Sequence, residues 1–274
     1  EQGVPVKTGE RDAYSDYLDQ FAATNGYMDL MIIHVAQKTV LYSVEGKVHK
    51  NADLSGPKFS ETGLARVFKK VVEDQKSRVV DFKPYEPLRG MEIAFYGEPV
   101  FDSDNNLIAV AVAQLPPSFL SDIIQSRKGM GTTGESYIVG WEKKTSRFEL
   151  RSELQTMGQG RYVTGYFLET KLSYWEDAVA SGVQGGHGTY VDSAGNSVLV
   201  AYNQLELPGV EWFLISKIDK YEVEAPVRSI LENTFVISMI FVGLIALAAF
   251  FVARKISMPI IEDVRFARAI SNGE

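Results

Sequence analysis

Residues 81–96, "DFKPYEPLRGMEIAFY", bring charged and aromatic side chains into one short stretch: Asp81, Phe82, Tyr85, Arg89, Glu92, Phe95 and Tyr96. A carboxylate such as Asp81 or Glu92 pairs with a cationic ligand, and the Arg89 guanidinium clamps a carboxylate through two parallel bonds. Aromatic rings around a few fixed polar groups are what a small-molecule cavity requires. Tyr27 and Asp29, on an expected first strand, would face the same space. These nine residues form the candidate ligand-binding set. A plainer reading stands beside it, because alternating aromatics on strands are usually core and loop charges are usually solvated. Further along, Tyr137, Arg151 and Tyr190 would line a smaller pocket, expected to be empty or purely structural.

Other chemistries find little support. The chain has no cysteine, which removes thiol nucleophiles, disulfides and cysteine zinc sites. His34, His49 and His187 are scattered without a metal-ligand spacing, and read as ordinary surface or strand histidines with no metal. No serine has an identifiable histidine and acid partner, so no catalytic residue is assigned and no enzyme is expected. A membrane-anchored hydrolase using His187, or an adhesive ectodomain, are the remote alternatives. A net charge of −7 argues against a nucleic-acid partner, which needs clustered Lys and Arg. "GMGTTGESY" does contain the G-x-G-x-x-G spacing of a dinucleotide site at Gly129, Gly131 and Gly134. That fingerprint needs a strand before it and a helix after it. Here a helical pattern, "PPSFLSDIIQSRK", comes first and a strand-like run, "ESYIVGW", follows. A capped helix end and a turn explain the glycines, and no cofactor is expected.

Two modules carry these residues. "FDSDNNLIAVAVAQL" at 101–115 aligns with "VDSAGNSVLVAYNQL" at 191–205, matching Asp102 with Asp192, Asn106 with Asn196 and Gln114 with Gln204. Each copy is a strand end, a polar turn and a strand, the pattern of an antiparallel hairpin. The turn lacks the glycine and distant glutamate of a calcium loop. In the first module, "GYMDLMIIHV" and "VLYSVEGKV" read as paired strands. "SETGLARVFKKVVEDQ" reads as a helix with Leu64, Val67, Phe68, Val71 and Val72 on its apolar stripe. The hairpin completes a sheet of about five strands, and the second module repeats the plan, giving an α+β class with antiparallel sheets.

Residues 234–253, "TFVISMIFVGLIALAAFFVA", carry no charge, and about 20 helical residues span the roughly 30 Å of a bilayer core. The excess of Lys and Arg after the span leans towards a cytoplasmic C-terminus. Beyond it, Ile260, Val264, Ala267 and Ile270 form one seam of a helix suited to a parallel bundle, so a homodimer is expected. Both ends of the sequence read as cut from a longer protein. The expected organisation is an N-terminal segment at 1–24, modules at 25–120 and 121–222, a juxtamembrane helix at 223–233, a transmembrane helix at 234–253 and a final helix at 254–274.

"GYMDL", "NADLSGP", "TGLARVF", "DFKPY", "EPVFDSDNNLIAVAVAQ", "GMGTTGESYIVG" and "EWFLISKID" together resemble the double Cache family, tandem PAS-like sensor modules outside the cell. The resemblance covers nearly all of residues 25–228. It implies a small-molecule ligand in the membrane-distal module, an inner-membrane receptor with periplasmic or extracellular sensor modules, and cytoplasmic signalling partners. Residues 254–274, with Pro259, resemble the first half of a HAMP linker. Chemotaxis receptors, sensor histidine kinases and nucleotide cyclases all carry such modules, and a chemotaxis receptor is the expected type. The family's amino-acid receptors carry Arg-x-Trp-Tyr near the ligand carboxylate; "DFKPYEP" does not match it.

Overall fold

The computed structural model describes residues 13–124, 129–143, 146–154, 173–180, 185–192 and 194–271. The chain divides into two compact units, Glu1–Lys220 and Tyr221–Glu274. Among the described residues, the first contains two five-stranded antiparallel sheets. After helix α1 (Ala13–Thr24), the first sheet is built from β1 (Asp29–His34), β2 (Val40–Ser43), β3 (Arg78–Tyr85), β4 (Met91–Phe101) and β5 (Leu107–Leu115), with α2 (Gly63–Asp74) between β2 and β3. Their spatial order is β2-β1-β5-β4-β3. Helix α3 (Pro117–Ile124) leads to the second sheet. It comprises β6 (Glu135–Glu142), β7 (Arg147–Leu150), β8 (Gly185–Val191), β9 (Ser197–Gln204) and β10 (Trp212–Asp219), with α4 (Ser173–Ala180) between β7 and β8. The order β7-β6-β10-β9-β8 repeats the path of the first sheet. This is the expected α+β class.

The sequence repeat is a structural repeat. In the β4–β5 connection, Asp102 Oδ1 accepts the Asp104 and Asn106 backbone N–H groups at 2.9 and 2.8 Å. In the β8–β9 connection, Asp192 Oδ1 accepts those of Ala194 and Asn196, both at 2.9 Å. A short carboxylate that bonds its own turn explains why aspartate stands there twice. The glycines of "GMGTTGESY" join α3 to β6, and Gly129 and Gly131 sit at φ +85° and +66°. This is the reverse of the order a dinucleotide site needs.

Thr62 starts α2 by accepting the Ala65 N–H, and Gln75 ends it in the left-handed conformation. Leu64, Val67, Phe68 and Val71 point from α2 into the first core. A Cβ on Gly97 of β4 would lie 2.9 Å from the Val67 and Val71 methyls, so glycine there lets the helix approach the sheet. The opposite face of the first sheet supplies Leu30, Val79, Phe82, Ala94 and Ala113. These pack with Ile138 and Trp212 of the second sheet in one shared cluster. The modules are therefore joined by apolar burial as well as by chain.

Helix α5 (Lys220–Val252) starts at the last residue of the first unit and is followed, in the second, by a π-helical stretch (Ala253–Ser257) and α6 (Met258–Ser271). The 33 residues of α5 rise about 50 Å at 1.5 Å each. An 18-residue window reaches a mean hydropathy of 2.8 and is not buried, so this helix is long and apolar enough to cross a bilayer.

Candidate functional site

Under α2, the apolar core of the first module encloses a polar cluster. Asp29 opens β1 fully buried. Its Oδ2 accepts the Ser43 hydroxyl at 2.7 Å and lies 2.8 Å from His49 Nδ1, while Oδ1 accepts the Glu45 N–H at 3.1 Å. His49 Nε2 is 3.0 Å from the Tyr85 hydroxyl, and the Tyr85 ring meets Phe95 edge-on at 5.1 Å. The tautomer that satisfies all three groups places the proton on Nδ1, donating to Asp29, and leaves Nε2 to accept from Tyr85. His49, read from sequence as a surface or strand histidine, is in fact only 1% exposed and outside the strands.

Strand register adds a member. Gln114 of β5 pairs directly with both Asp29 of β1 and Phe95 of β4, so it shares their face. Gln114 is fully buried, its Nε2 reaches the Met28 thioether at 3.6 Å, and its Oε1 has no hydrogen-bond partner among the described residues. A buried acceptor left unpaired is uncommon, because it gives up its water without replacement. The unpaired carbonyl belongs to a residue that pairs across the sheet with Asp29, whose buried carboxylate meets the His49 imidazole.

Carboxylate, imidazole and hydroxyl follow one another here in the order of a nucleophilic relay. The phenol is tuned the wrong way for that. Burial first, and then the Asp29 charge, hold the Tyr85 proton well above its usual range, and the ring is 1% exposed. An activated nucleophile needs the opposite shift and access. The arrangement does not favour attack by Tyr85.

A second polar cluster lies where the modules meet. Arg151, just after β7, is fully buried and donates from Nε and Nη2 to Asp81 Oδ1 and Oδ2 at 2.7 and 2.8 Å. Its Nη1 donates to Glu149 at 3.0 Å. Burial alone would loosen the Arg151 proton, but Asp81 and Glu149 outweigh it and raise its pKa. Asp81 Oδ1 also accepts the Trp212 indole N–H at 3.0 Å, and Trp212 stacks on Phe82 with ring centres 5.8 Å apart. Both Asp81 oxygens are thus bonded to the second module. Glu92 is half-buried beside this cluster; burial raises its pKa against the pull of Lys83 and Arg151. Lys83 pairs with Glu142 of β6 at 2.8 Å. A cavity of about 460 Å³ opens beside β3, lined by Glu61, Arg66, Val80, Asp81, Lys83, Pro84 and Glu142.

The nine sequence candidates therefore separate. Asp29, Tyr85 and Phe95 meet on the α2 face, joined by His49 and Gln114. Phe82 lies on the opposite face, with Tyr27 and Tyr96 packed against the same cluster. Asp81 and Glu92 belong to the junction, and Arg89 is exposed in the β3–β4 turn at φ +57°. In the second module, Tyr137 is buried against Tyr174 and Trp175, while Arg151 serves the junction, so Tyr137, Arg151 and Tyr190 do not share a pocket. A groove of about 510 Å³ instead runs over the other face of that sheet, beside His187, Thr189, Leu199 and Ser216.

This pair of sheets has counterparts. An extracellular ligand-binding receptor from Desulfohalobium retbaense superposes at a TM-score of 0.51 with 16% identity, over 76% of this chain and 33% of that one. The extracellular domain of rpHK1S-Z16 superposes at 0.52 with 13% identity, over 79% of this chain and 81% of that one. The fold of this chain is shared with these two extracellular domains. The ligand-binding domain of the Pseudomonas fluorescens chemoreceptor CtaA, in complex with L-leucine, superposes at 0.47 with 15% identity, over 78% of this chain and 79% of that one. This chain spans a third of the length of the Desulfohalobium receptor. No protein-family model and no curated protein matches the sequence.

Proposed function

We propose that this chain is the sensing and membrane-crossing part of a bacterial receptor of the double Cache type. In this reading the first module, residues 25–120, binds a small molecule outside the cytoplasm. The ligand is held at Asp29, His49, Tyr85 and Gln114, where buried polar groups converge between a sheet and a helix. The second module, 121–222, relays the event. Residues 223–233 lead into a membrane helix at 234–253, and 254–274 begin a HAMP-type bundle shared by two copies of the chain on the cytoplasmic side of the inner membrane. A chemotaxis receptor is the type favoured. The observation that carries the reading is the orphaned Gln114 carbonyl within a buried Asp–His–Tyr cluster, on a fold whose last strand is followed at once by a bilayer-length helix. Ligand binding in such a design favours one of two arrangements, by no more than its differential affinity for them.

Sidedness is the first test. The chain lacks cysteine, so Asn51→Cys and Ser271→Cys each introduce a single thiol. In intact spheroplasts a membrane-impermeant maleimide is expected to label Asn51→Cys, and to label Ser271→Cys only after lysis. Labelling of both before lysis, or of neither, would contradict the membrane arrangement.

A further inference from the structure

We propose that Trp212, Asp81 and Arg151 are the positioning residues through which a change in the first module reaches α5, with β10 as the stiff link between them. The proposal rests on the sensor reading above. Among the described residues, strand β10 is the one element that meets both ends of the path. Its first residue, Trp212, stacks on Phe82 of β3 and donates to Asp81. Its last residue, Asp219, directly precedes Lys220, where α5 begins, and donates its N–H to Thr133 at 3.1 Å. Between these ends it is paired with β6 on one side and β9 on the other. A strand of eight residues spans about 27 Å at roughly 3.4 Å each, and with both edges bonded it has little freedom to stretch or pucker. A displacement imposed at Trp212 is therefore passed along the strand rather than absorbed.

The junction is shaped for this connection at three further points. The turn before β10 is seated on β3: Val79 donates its N–H to the Pro208 carbonyl at 2.7 Å. Gly209 in that turn sits at φ +105°, and a Cβ there would fall 2.6 Å from the Val79 oxygen. Gly140 of β6 leaves room for Arg151, whose Nε would lie 2.7 Å from an added Cβ. At the far end, Lys217 is fixed to Glu135 of β6 at 3.2 Å and to Asp192 of the β8–β9 turn at 3.1 Å, so the end near α5 is held by the sheet as a whole. Surface charge pairs between modules would slide; a fully buried arginine held by both oxygens of Asp81, beside a stacked indole, has one arrangement at a time.

The test needs no ligand. Glu61 is exposed and lines the cavity beside Val80, Asp81 and Lys83 of β3, so Glu61→Cys puts the chain's single thiol where a bulky adduct presses on that strand. N-ethylmaleimide is the probe, on the full chain in lipid nanodiscs, with hydrogen exchange read by mass spectrometry on peptides covering β10. Coupling of this kind is expected to change β10 exchange by about threefold or more on labelling. In a Trp212→Phe background, which keeps an aromatic ring and removes the N–H donor, the response should fall below about half of that change. Asp81→Asn, of nearly the same size, serves as the second background should Trp212→Phe unfold. A flat response in β10, whatever β3 does, overturns the proposal, as does an equal response in both backgrounds. Either result leaves the ligand reading standing, because no ligand enters the experiment.

Discussion

Replacing Arg151 by alanine is expected to destabilise the first unit by about 3–5 kcal/mol, the usual cost of removing one partner from a buried ion pair. The size follows from what remains. Asp81 would keep the Trp212 and Phe82 N–H groups but lose both guanidinium bonds, and Glu149 would lose its partner within the same site. The space vacated lies against Gly140, which has no side chain to fill it. Urea unfolding of the two proteins side by side measures the loss. Adding Asp81→Ala to Arg151→Ala should cost only about 1 kcal/mol more, for the indole bond, since the charge left stranded is removed with it. Losses that simply add would show that the two side chains do not act as a pair.

Lys217→Ala is expected to cost a similar 3–5 kcal/mol, and its pH dependence identifies the cause. Lys217 is 5% exposed and holds two nearly buried carboxylates, Glu135 and Asp192. Burial acts to lower the Lys217 pKa, but Glu135 and Asp192 outweigh it and raise it. For Asp192, burial acts upward, while the N–H groups of its turn and the Lys217 ammonium prevail and lower it. A raised lysine stabilises fully below its unfolded pKa near 10.4, and that stability fades as pH rises through the folded value. A lowered aspartate stabilises above about pH 4, and that stability is lost as pH falls through its folded value. The cluster therefore works at full strength between about pH 4 and 10. In Lys217→Ala the two carboxylates face each other without a cation, so the difference from the parent should be largest near pH 7 and shrink towards pH 4. A difference that stays constant over that range would mean that packing, and not charge, sets the cost.

What was legible in the sequence was whatever local rules govern. The aspartate turns, the α2 stripe and the alternation of the strands each follow from spacing within a few residues, and the structure places them as read. The charge-free run before Arg254 was equally plain. Side-chain pairing between distant strands was not. Asp81 and Arg151 are 70 positions apart, and Asp81 and Trp212 are 131 apart, so no window of sequence contains either contact. Asp29, Tyr85 and Phe95 belong together only because β1, β5, β4 and β3 lie side by side, an order that chain sequence alone does not fix. Phe82 and Tyr96 went to the other face for a local reason: a bulge between Val80 and Lys83 shifts the register of β3, and β4 alternates strictly. His49 carried no signal, since a lone histidine in a polar loop looks solvated. Gln114 did carry one. It stands in "LIAVAVAQL", a strand otherwise apolar on both faces, where an amide must find a partner inside the protein or be kept for something else.

That amide offers the most direct measurement. Thermal midpoints would be recorded for the full chain in nanodiscs and for Gln114→Leu, each alone and with a panel of small amines, amino acids and organic acids. If the carbonyl is reserved for a bound molecule, Gln114→Leu relieves an unpaired buried acceptor worth about 1–3 kcal/mol and melts higher than the parent when no compound is present. At least one compound should raise the parent's midpoint, by about 2.7 kcal/mol of stabilisation at a hundred times its dissociation constant, and should leave Gln114→Leu unmoved. A variant that melts lower than the parent, a response that survives in it, or a panel that moves neither protein would contradict a ligand held at Asp29, His49, Tyr85 and Gln114.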